Sequence, residues 1–527
     1  MLVYAIDCCE RTSELITLSG WARTRQGTPL ASLTLESDDH PAIPISCHQP
    51  RPDVAATHGG DPNCGFTYFG PAPAEPLQLV ATTRDGQHQV ILKLPAPSQQ
   101  QVSPVVLYRH YLQRAWHHLR TGNWGHILSR ARALLTSARP LPAPSRLAQQ
   151  ARCQALLVID HGFGGGAGRY LSEYLLRHLP PTASHWRLTF NPLQLCYHLA
   201  EYPTPHSIEP SKRWRLHWPQ VRALLTAPIL PPLFYNNAVG YPHLLPLLAA
   251  LTAYKEAHPD WPLTIALHDQ FFLCSSPHLI GEMGHYCGLP SAEECQRCLA
   301  TNNEPYLALY RRHSIIAWRQ SWQQLITQAD TIYLFSPFMH ELLTSQVPAV
   351  DPRRIHLAPH PIPPLTHEER NRWHHYRANR SRRTPGQPGR IVIAGAITHT
   401  AKGNRLAARL IETAHRRHLP LTWHIVGQLT PPPDAPHTQT GPYQPEQLTE
   451  LLIASDPDLL LFPSVAPETF SYLLHELARY QLPIALYPIG AQSDFLACYP
   501  QAIPLPWPPD AETTLHTLLN HLDLSEP

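Results

Sequence analysis

The stretch DLLLFPSVAPETFSYLLHELARYQLPIALYPI (458–489) decides the fold class of this chain. It begins with a continuous apolar run typical of a buried strand and passes through a turn. Apolar residues at helical spacing follow, and the stretch ends in a second apolar run. A strand, a helix and a strand in this order form a crossover unit with two parallel strands. The sequence therefore predicts an α/β domain here.

The same alternation continues outward from this stretch. RIVIAGAI, LTWHIVGQ and the helical pattern NRLAARLIETAHRRH fill the chain from Arg390 onward, and ALLVIDHG, WRLTFN, PLTIALHD and TIYLFS are strands of an earlier region. Strands that alternate with helices favour a parallel sheet covered on both faces. We expect two Rossmann-like doubly wound domains, over 151–365 and 390–527.

The segment 366–389 separates these two domains. It is polar, and seven arginines lie between residues 366 and 390. We interpret it as a solvated interdomain linker, and a contact with anionic lipid headgroups is the alternative.

Residues 1–95 differ from the rest of the chain. Short runs of alternating apolar residues, broken by Gly, Pro, Asn and Asp, predict a small antiparallel β-sandwich. Residues 96–150 carry apolar residues at helical spacing and are expected to form a helical linker.

Composition limits the functional classes. The 527 residues are enough for about three domains. A formal net charge of +2 does not indicate a basic surface for binding nucleic acid. The amino terminus lacks a signal-peptide pattern, and no apolar run approaches ~18 residues. We therefore expect a cytoplasmic protein, at most peripheral to the inner membrane face.

Glu468 and Glu476, with seven residues between them, are the first candidate site residues. Glu468 is expected in the strand-to-helix turn and Glu476 in the helix. At this spacing both side chains can lie on the same side of the helix. The backbone N–H groups of Phe470 and Ser471 at the helix start suit a diphosphate, and the carboxylates suit sugar hydroxyls. The alternative is that Glu468 complements the helix dipole and Glu476 is a surface charge.

This segment resembles the E-x7-E segment of retaining glycosyltransferases of family 4, which have the GT-B fold. The resemblance implies that Glu468 contacts the transferred sugar and that Glu476 contacts the ribose, with Phe470 and Ser471 near the donor phosphates. It also implies retention of anomeric configuration, and catalysis that requires no cofactor and no divalent metal.

The stretch IVIAGAITHTAKGNRL (391–406) extends the resemblance. Its strand is expected to end in Gly395, and Lys402 opens the next helix. In the family, a basic residue here neutralises the leaving diphosphate, whereas an exposed helix-start lysine is the alternative. Many members carry an arginine directly after the glycine, but this chain has Ala396 and so one cation fewer.

Two further candidates lie in the first α/β region. Gly164, Gly165 and Gly166 form a turn that allows close backbone approach, and in the family this loop faces the donor phosphates. His268 follows a strand. Family members often have a histidine at the end of the corresponding strand that helps to hold the donor sugar or the acceptor. A structural, hydrogen-bonded histidine is the alternative. The glycine cluster also leaves open a Rossmann-type nucleotide-dependent oxidoreductase or epimerase.

Four of the eleven cysteines, Cys274, Cys287, Cys295 and Cys298, fall within one short stretch. The last two have the C-x2-C spacing with which thiolates chelate a tetrahedral ion. We expect a structural zinc site here, with reduced buried thiols as the alternative.

The resemblance implies a glycosyltransferase that moves a sugar from a UDP-, GDP- or dTDP-linked donor to a polysaccharide or lipid-linked glycan. The carboxy-terminal domain would bind the donor, and the 151–365 domain would bind the acceptor. A catalytically degenerate glycan-binding scaffold is the main alternative, and Ala396 is the observation that favours it.

Overall fold

The computed structural model describes residues 2–11, 15–37, 42–71, 76–94 and 153–524, the last range without 163, 193, 305, 306, 308, 312, 381, 382 and 385. The predicted helical linker 96–150 lies outside the described residues.

The amino-terminal unit consists of two four-stranded antiparallel sheets. Its strands and one helix are β1 (Leu2–Arg11), β2 (Leu15–Thr24), β3 (Ser32–Glu36), β4 (Ile43–Ile45), β5 (Gln49–Pro50), α1 (Pro52–His58), β6 (Asn63–Pro71), β7 (Leu77–Thr82) and β8 (His88–Leu94). The sheet orders are β1-β2-β6-β5 and β4-β3-β7-β8. Alternate residues such as Leu18, Leu33, Phe66 and Leu79 are buried in one common core, so the predicted small all-β domain is confirmed.

The second unit is an α/β domain built on an eight-stranded sheet. Its elements are β9 (Leu156–Ile159), α2 (Gly165–His178), β10 (His185–Asn191), β11 (Cys196–Tyr202), β12 (Lys212–Leu216), α3 (Trp218–Leu225), β13 (Leu233–Tyr235), α4 (Leu244–Ala257), β14 (Leu263–Ala266), α5 (Ala292–Thr301), α6 (Ile315–Gln328), β15 (Thr331–Leu334), α7 (Pro337–Gln346) and β16 (Ile355–Leu357). The strand order is β12-β11-β10-β9-β13-β14-β15-β16.

This sheet departs from the expected all-parallel arrangement at one edge. Strands β10, β11 and β12 pair antiparallel, whereas the remaining neighbours pair parallel. The cause is the short connection from β10 to β11, since a parallel neighbour needs a crossover of about a dozen residues or more.

The third unit carries a six-stranded sheet in which every neighbouring pair is parallel. Its elements are α8 (His367–Asn379), β17 (Gly389–Ile397), α9 (Asn404–Arg416), β18 (Leu421–Leu429), β19 (Thr438–Gln439), α10 (Leu448–Ser455), β20 (Leu459–Phe462), α11 (Tyr472–Ala478), β21 (Ile484–Leu486), α12 (Ala491–Cys498), β22 (Ala502–Pro504) and α13 (Ala511–His521). The strand order is β19-β18-β17-β20-β21-β22. Strand β17 continues past Gly395, where the sequence predicted its end.

The segment 366–389 contains a helix that its polarity does not suggest. Helix α8 begins after Thr366, whose side chain forms a capping box with Glu369. Trp373 is buried in the core of the third unit and donates a hydrogen bond from Nε1 to the Tyr480 carbonyl at 3.1 Å. One buried indole therefore attaches this polar helix to the carboxy-terminal domain.

The arginines of this segment are also engaged within the protein. Arg372 pairs with Glu450 at 2.8 Å, and Arg380 pairs with Asp458 at 2.6 Å. Arg390, which directly follows the segment, donates to the same Asp458 carboxylate at 2.9 Å. These ion pairs reduce the charge that the segment offers to a lipid surface.

The two doubly wound domains face each other across a cleft. Gln270 of the first donates from Nε2 to the Pro467 carbonyl of the second at 2.7 Å, and Asp494 accepts the backbone N–H of Phe338 at 2.9 Å. This is the GT-B arrangement that the sequence predicted, and the fold class is confirmed. No helix among the described residues is both long and apolar enough to cross a membrane.

Candidate active site

The candidate site lies where the strand order reverses in both sheets. In the first domain the order reverses beside β9 and β13, and in the second beside β17 and β20. Ligands of open α/β sheets bind beyond the carboxyl ends of strands at such points. The loops after these strands, together with the loop after β14, line one cleft of about 260 Å³. Its side chains include His161, Asn237, His268, Asp269, His278, His360, His399, Lys402, Glu468, Phe470 and Tyr472.

Lys402 and Glu468 form the central ion pair of the cleft. The Nζ of Lys402 lies 2.6 Å from Oε1 of Glu468, and the Ser464 hydroxyl donates to the same oxygen at 3.1 Å. The backbone N–H of Glu468 donates to Gln492 Oε1 at 3.0 Å, which fixes the turn. The structure thus brings together two predicted site residues from the loops after β17 and β20.

The turn that presents Lys402 depends on Gly403. This glycine ends a 3-10 turn over Thr400–Lys402 and precedes α9, with φ of 75°. A Cβ at this position would lie 1.8 Å from the Pro463 carbonyl oxygen. Only glycine lets the two loops of the second domain approach so closely.

His268 lines the cleft as a neutral side chain. Burial is the largest cause that holds its pKa well below the usual range, and His360 and His161 lower it further. Asn236 donates its amide to Asp160 at 2.9 Å, so its Oδ1 is an acceptor, and His268 Nε2 lies 2.9 Å from that oxygen. The network therefore assigns the proton to Nε2 and makes Nδ1 a hydrogen-bond acceptor.

Asp269, next to His268, also lines the cleft. Its carboxylate accepts from Asn237 Nδ2 at 2.9 Å and from the backbone N–H of Phe271 at 3.0 Å. Burial raises the pKa of Asp269 to about 6 despite these two hydrogen bonds. At neutral pH this group can accept a hydrogen bond or a proton from a hydroxyl in the cleft.

The predicted glycine residues fall into two groups. Gly164 and Gly166 line the cleft, and a Cβ on Gly166 would touch the Tyr472 ring of the opposite domain at 3.4 Å. Gly165 begins α2 and is not among the lining residues. Gly395 lies inside β17 with φ of 99°, where a Cβ would meet Leu473 Cδ2 at 2.6 Å. Its structural effect is to let α11 pack closely on the strand.

The two glutamates of the predicted motif occupy different places. Glu468 precedes α11 and lines the cleft, as does Phe470, whose ring stacks on His475 at 4.4 Å. Ser471 is the N-cap of α11, and its Oγ accepts the N–H of Leu474 at 3.4 Å. Glu476 lies within the helix and pairs with Arg169 of the first domain at 3.3 Å.

Several cleft residues were not predicted from the sequence. His278 and His360 both line the cleft, and burial is the largest cause that lowers their pKa values, to about 4 and about 3. Lys402 lowers the pKa of His278 further and Glu468 opposes this, so His278 lies near their ion pair. The ring of His360 stacks on Tyr472 at 4.7 Å. In a chain with 34 histidines, no sequence signal distinguishes these two.

The four clustered cysteines are free thiols. Burial raises the pKa of Cys274 to about 12, and the neighbouring thiols Cys287, Cys295 and Cys298 contribute in the same direction. Cys298 accepts a hydrogen bond from Asn302 at 3.3 Å. No group of three or more His, Cys, Asp or Glu side chains within the described ranges is arranged to hold a metal ion. The zinc site stays a prediction that this geometry does not support.

The sequence matches no protein-family model and no curated protein. The chain is similar to the structure of Anabaena HepE with UDP-glucose at 14% identity and a TM-score of 0.38, over 70% of this chain and 89% of that one. It is similar to WaaG, a glycosyltransferase involved in lipopolysaccharide biosynthesis, at 12% identity and a TM-score of 0.31, over 58% and 86%. A glycosyltransferase from Rickettsia africae aligns at 11% identity and a TM-score of 0.34, over 70% and 87%. The fold class therefore rests on the topology of the two sheets.

Proposed function

We propose that this protein is a glycosyltransferase that binds a nucleotide-sugar in the cleft between its two doubly wound domains. The observation that carries the proposal is the Lys402–Glu468 pair at the strand-order reversal of the second sheet, facing His268 across the cleft. A cation for a leaving diphosphate and polar groups for sugar hydroxyls are what sugar transfer from such a donor needs.

The side chains divide the chemistry among them. Lys402 stabilises the charge that develops on the diphosphate as the glycosidic bond breaks. Glu468 accepts hydrogen bonds from hydroxyls of the transferred sugar, and neutral His268 accepts another at Nδ1. Asp269 lies beside His268 and is placed to accept the proton of an acceptor hydroxyl.

The finer part of the proposal follows from the family resemblance. The donor is a UDP-, GDP- or dTDP-sugar bound by the carboxy-terminal domain, with Glu476 at the ribose and Gly164 and Gly166 near the phosphates. The sugar is transferred with retention of configuration to a polysaccharide or lipid-linked glycan. The acceptor lies on the side of the first α/β domain, at the inner face of a membrane.

The size of the cleft adds a mechanical requirement. Its volume of about 260 Å³ is below the roughly 300–1,000 Å³ of typical ligand sites. We expect the domains to part as a nucleotide-sugar enters and to close around it, which would exclude water from the reacting bond.

The test is a panel of UDP-, GDP- and dTDP-sugars, read as thermal stabilisation and slow donor hydrolysis. A ligand present at 100 times its Kd should stabilise the native state by about 2.7 kcal/mol. We expect one nucleotide class to stabilise the wild type, and Lys402→Ala and Glu468→Gln to lose stabilisation or hydrolysis.

A matched control is available in the first α/β domain. Lys212 and Glu201 form a comparable ion pair at 2.8 Å on the edge of its sheet, away from the cleft. Lys212→Ala and Glu201→Gln should leave the nucleotide response unchanged. If no nucleotide-sugar affects the wild type while a free glycan does, the core is a binding scaffold and the proposal is wrong.

A further inference from the structure

Arg169 brings a cation to the donor side of the cleft from the opposite domain. It lies on α2 of the first α/β domain, close to Gly164 and Gly166. Its guanidinium lies 4.2 Å from the ring centroid of Tyr472, and its Nη1 lies 3.3 Å from Oε1 of Glu476. Tyr472 and Glu476 belong to the second domain, so this side chain spans the gap between the domains. Its Nε also lies 3.3 Å from Oε1 of Glu173 on its own helix.

The site thus contains two carboxylate–cation pairs of the same kind. Glu468 holds Lys402 of its own domain at 2.6 Å, and Glu476 holds Arg169 of the other domain at 3.3 Å. Both cations are 37% exposed. Ion pairs with this degree of exposure are weak, so either cation can change its partner when a stronger anion arrives.

A diphosphate brings more than one negative charge into the cleft. Lys402 is the single Lys or Arg among the described side chains that line it, and position 396 carries an alanine. The charge of Arg169 already acts on the cleft, because it contributes to the lowered pKa of the lining residue His360. Arg169 is therefore a further cation that the described residues bring close to the cleft.

We propose that Arg169 is the second diphosphate-binding cation of this site, and the proposal rests on the function proposed above. When a nucleoside diphosphate enters, the guanidinium exchanges the Glu476 carboxylate for phosphate oxygens, and Glu476 turns to the ribose hydroxyls. The planar guanidinium suits two phosphate oxygens at once, and stacking on Tyr472 holds that plane in place. Because Arg169 belongs to the first α/β domain, the diphosphate also draws the two domains together.

The experiment measures binding of three related ligands by calorimetry. The probes are whichever of UDP, GDP and dTDP binds the wild type most tightly, together with the matching nucleoside monophosphate and nucleoside. We expect Arg169→Ala to weaken the diphosphate by about 10- to 100-fold, as a charged hydrogen-bond partner would. The nucleoside should change by less than about 3-fold, since it has no phosphate for the guanidinium to bind.

Two further variants separate charge from fold. Arg169→Lys keeps the cation without the planar fork and should lose less diphosphate affinity than Arg169→Ala. Arg177→Ala removes an exposed arginine from the same helix and should leave all three affinities unchanged.

Each other outcome overturns a different statement. If the wild type binds a nucleoside diphosphate and Arg169→Ala binds it equally well, the role of Arg169 is wrong and the proposed function stands. If Arg169→Ala weakens nucleoside and diphosphate to the same extent, Arg169 acts on Glu476 or on closure instead of on the phosphates. If the wild type binds no nucleoside diphosphate, the proposed function fails, and the role of Arg169 fails with it.

Discussion

Replacing Gly403 by alanine tests how tightly the loops that carry Lys402 and Glu468 are packed. The residue has φ of 75°, and an added Cβ would lie 1.8 Å from the carbonyl oxygen of Pro463. Real Cβ contacts are almost never under 3.0 Å, so one of the two loops has to move by more than an ångström. The substitution cannot be absorbed by a rotamer change, because the neighbouring oxygen belongs to the backbone of Pro463.

The cost has two parts. The left-handed conformation of a non-glycine residue costs about 1–2 kcal/mol, and forcing an atom into a packed contact costs about 1–3 kcal/mol more. We expect Gly403→Ala to destabilise the carboxy-terminal domain by about 3 kcal/mol. For a domain of this size, that lowers the melting temperature by roughly 6–12 °C. The response to nucleotide-sugars should weaken as well, since Lys402 directly precedes the displaced residue.

Gly386→Ala is the matched control. Its φ is 88°, but nothing lies within 4 Å of the added Cβ. This variant has only the conformational cost, partly offset by the lower entropy of the unfolded chain, or about 1 kcal/mol and 2–4 °C. Differential scanning calorimetry compares transition temperatures without a two-state assumption, which a multidomain chain does not satisfy. Equal shifts for the two variants would refute the close approach of Gly403 to Pro463.

Two more predictions concern pH and the helix over His367–Asn379. Burial is the largest cause that lowers the pKa values of His185, His198, His243, His278 and His313 to about 4 and that of His360 to about 3. The unfolded chain binds these protons from about pH 6.5 downward and the folded chain does not, so stability is full above that pH and falls toward pH 4. Asp269 and Asp494, whose pKa values are raised by burial, oppose this. A melting temperature unchanged between pH 7.5 and 5 would contradict the prediction. Trp373→Ala should destabilise the carboxy-terminal domain by about 3–5 kcal/mol, because the indole is buried. His374→Ala, at an exposed neighbouring position, should have little effect in the same calorimetry. Equal small effects of the two variants would restore the solvated-linker interpretation.

The sequence alone predicted the two doubly wound domains, the small β unit and the loops that carry Lys402, Glu468 and His268. These features follow from local patterns. Apolar runs and helical spacing are set by which face of an element is buried, and residues after parallel strands gather at one sheet edge by topology.

Local patterns failed where a polar segment gains its partners from elsewhere. The segment 366–389 looked like a solvated linker because its arginines outnumber its apolar residues, but a single buried side chain, Trp373, anchors it. The antiparallel edge of the eight-stranded sheet was not predicted, because the apolar pattern of a strand indicates which residues are buried and not the direction of the strand.

Only the tertiary structure decided which groups meet across the cleft. Arg169 and Glu476 are 307 positions apart in sequence, and each resembles an ordinary solvated helix charge when its own helix is considered alone. His278 and His360 likewise become cleft residues only when the two domains face each other. Periodicity is a property of each element, so it is readable from sequence, whereas an ion pair between domains depends on their relative placement, which no local pattern encodes.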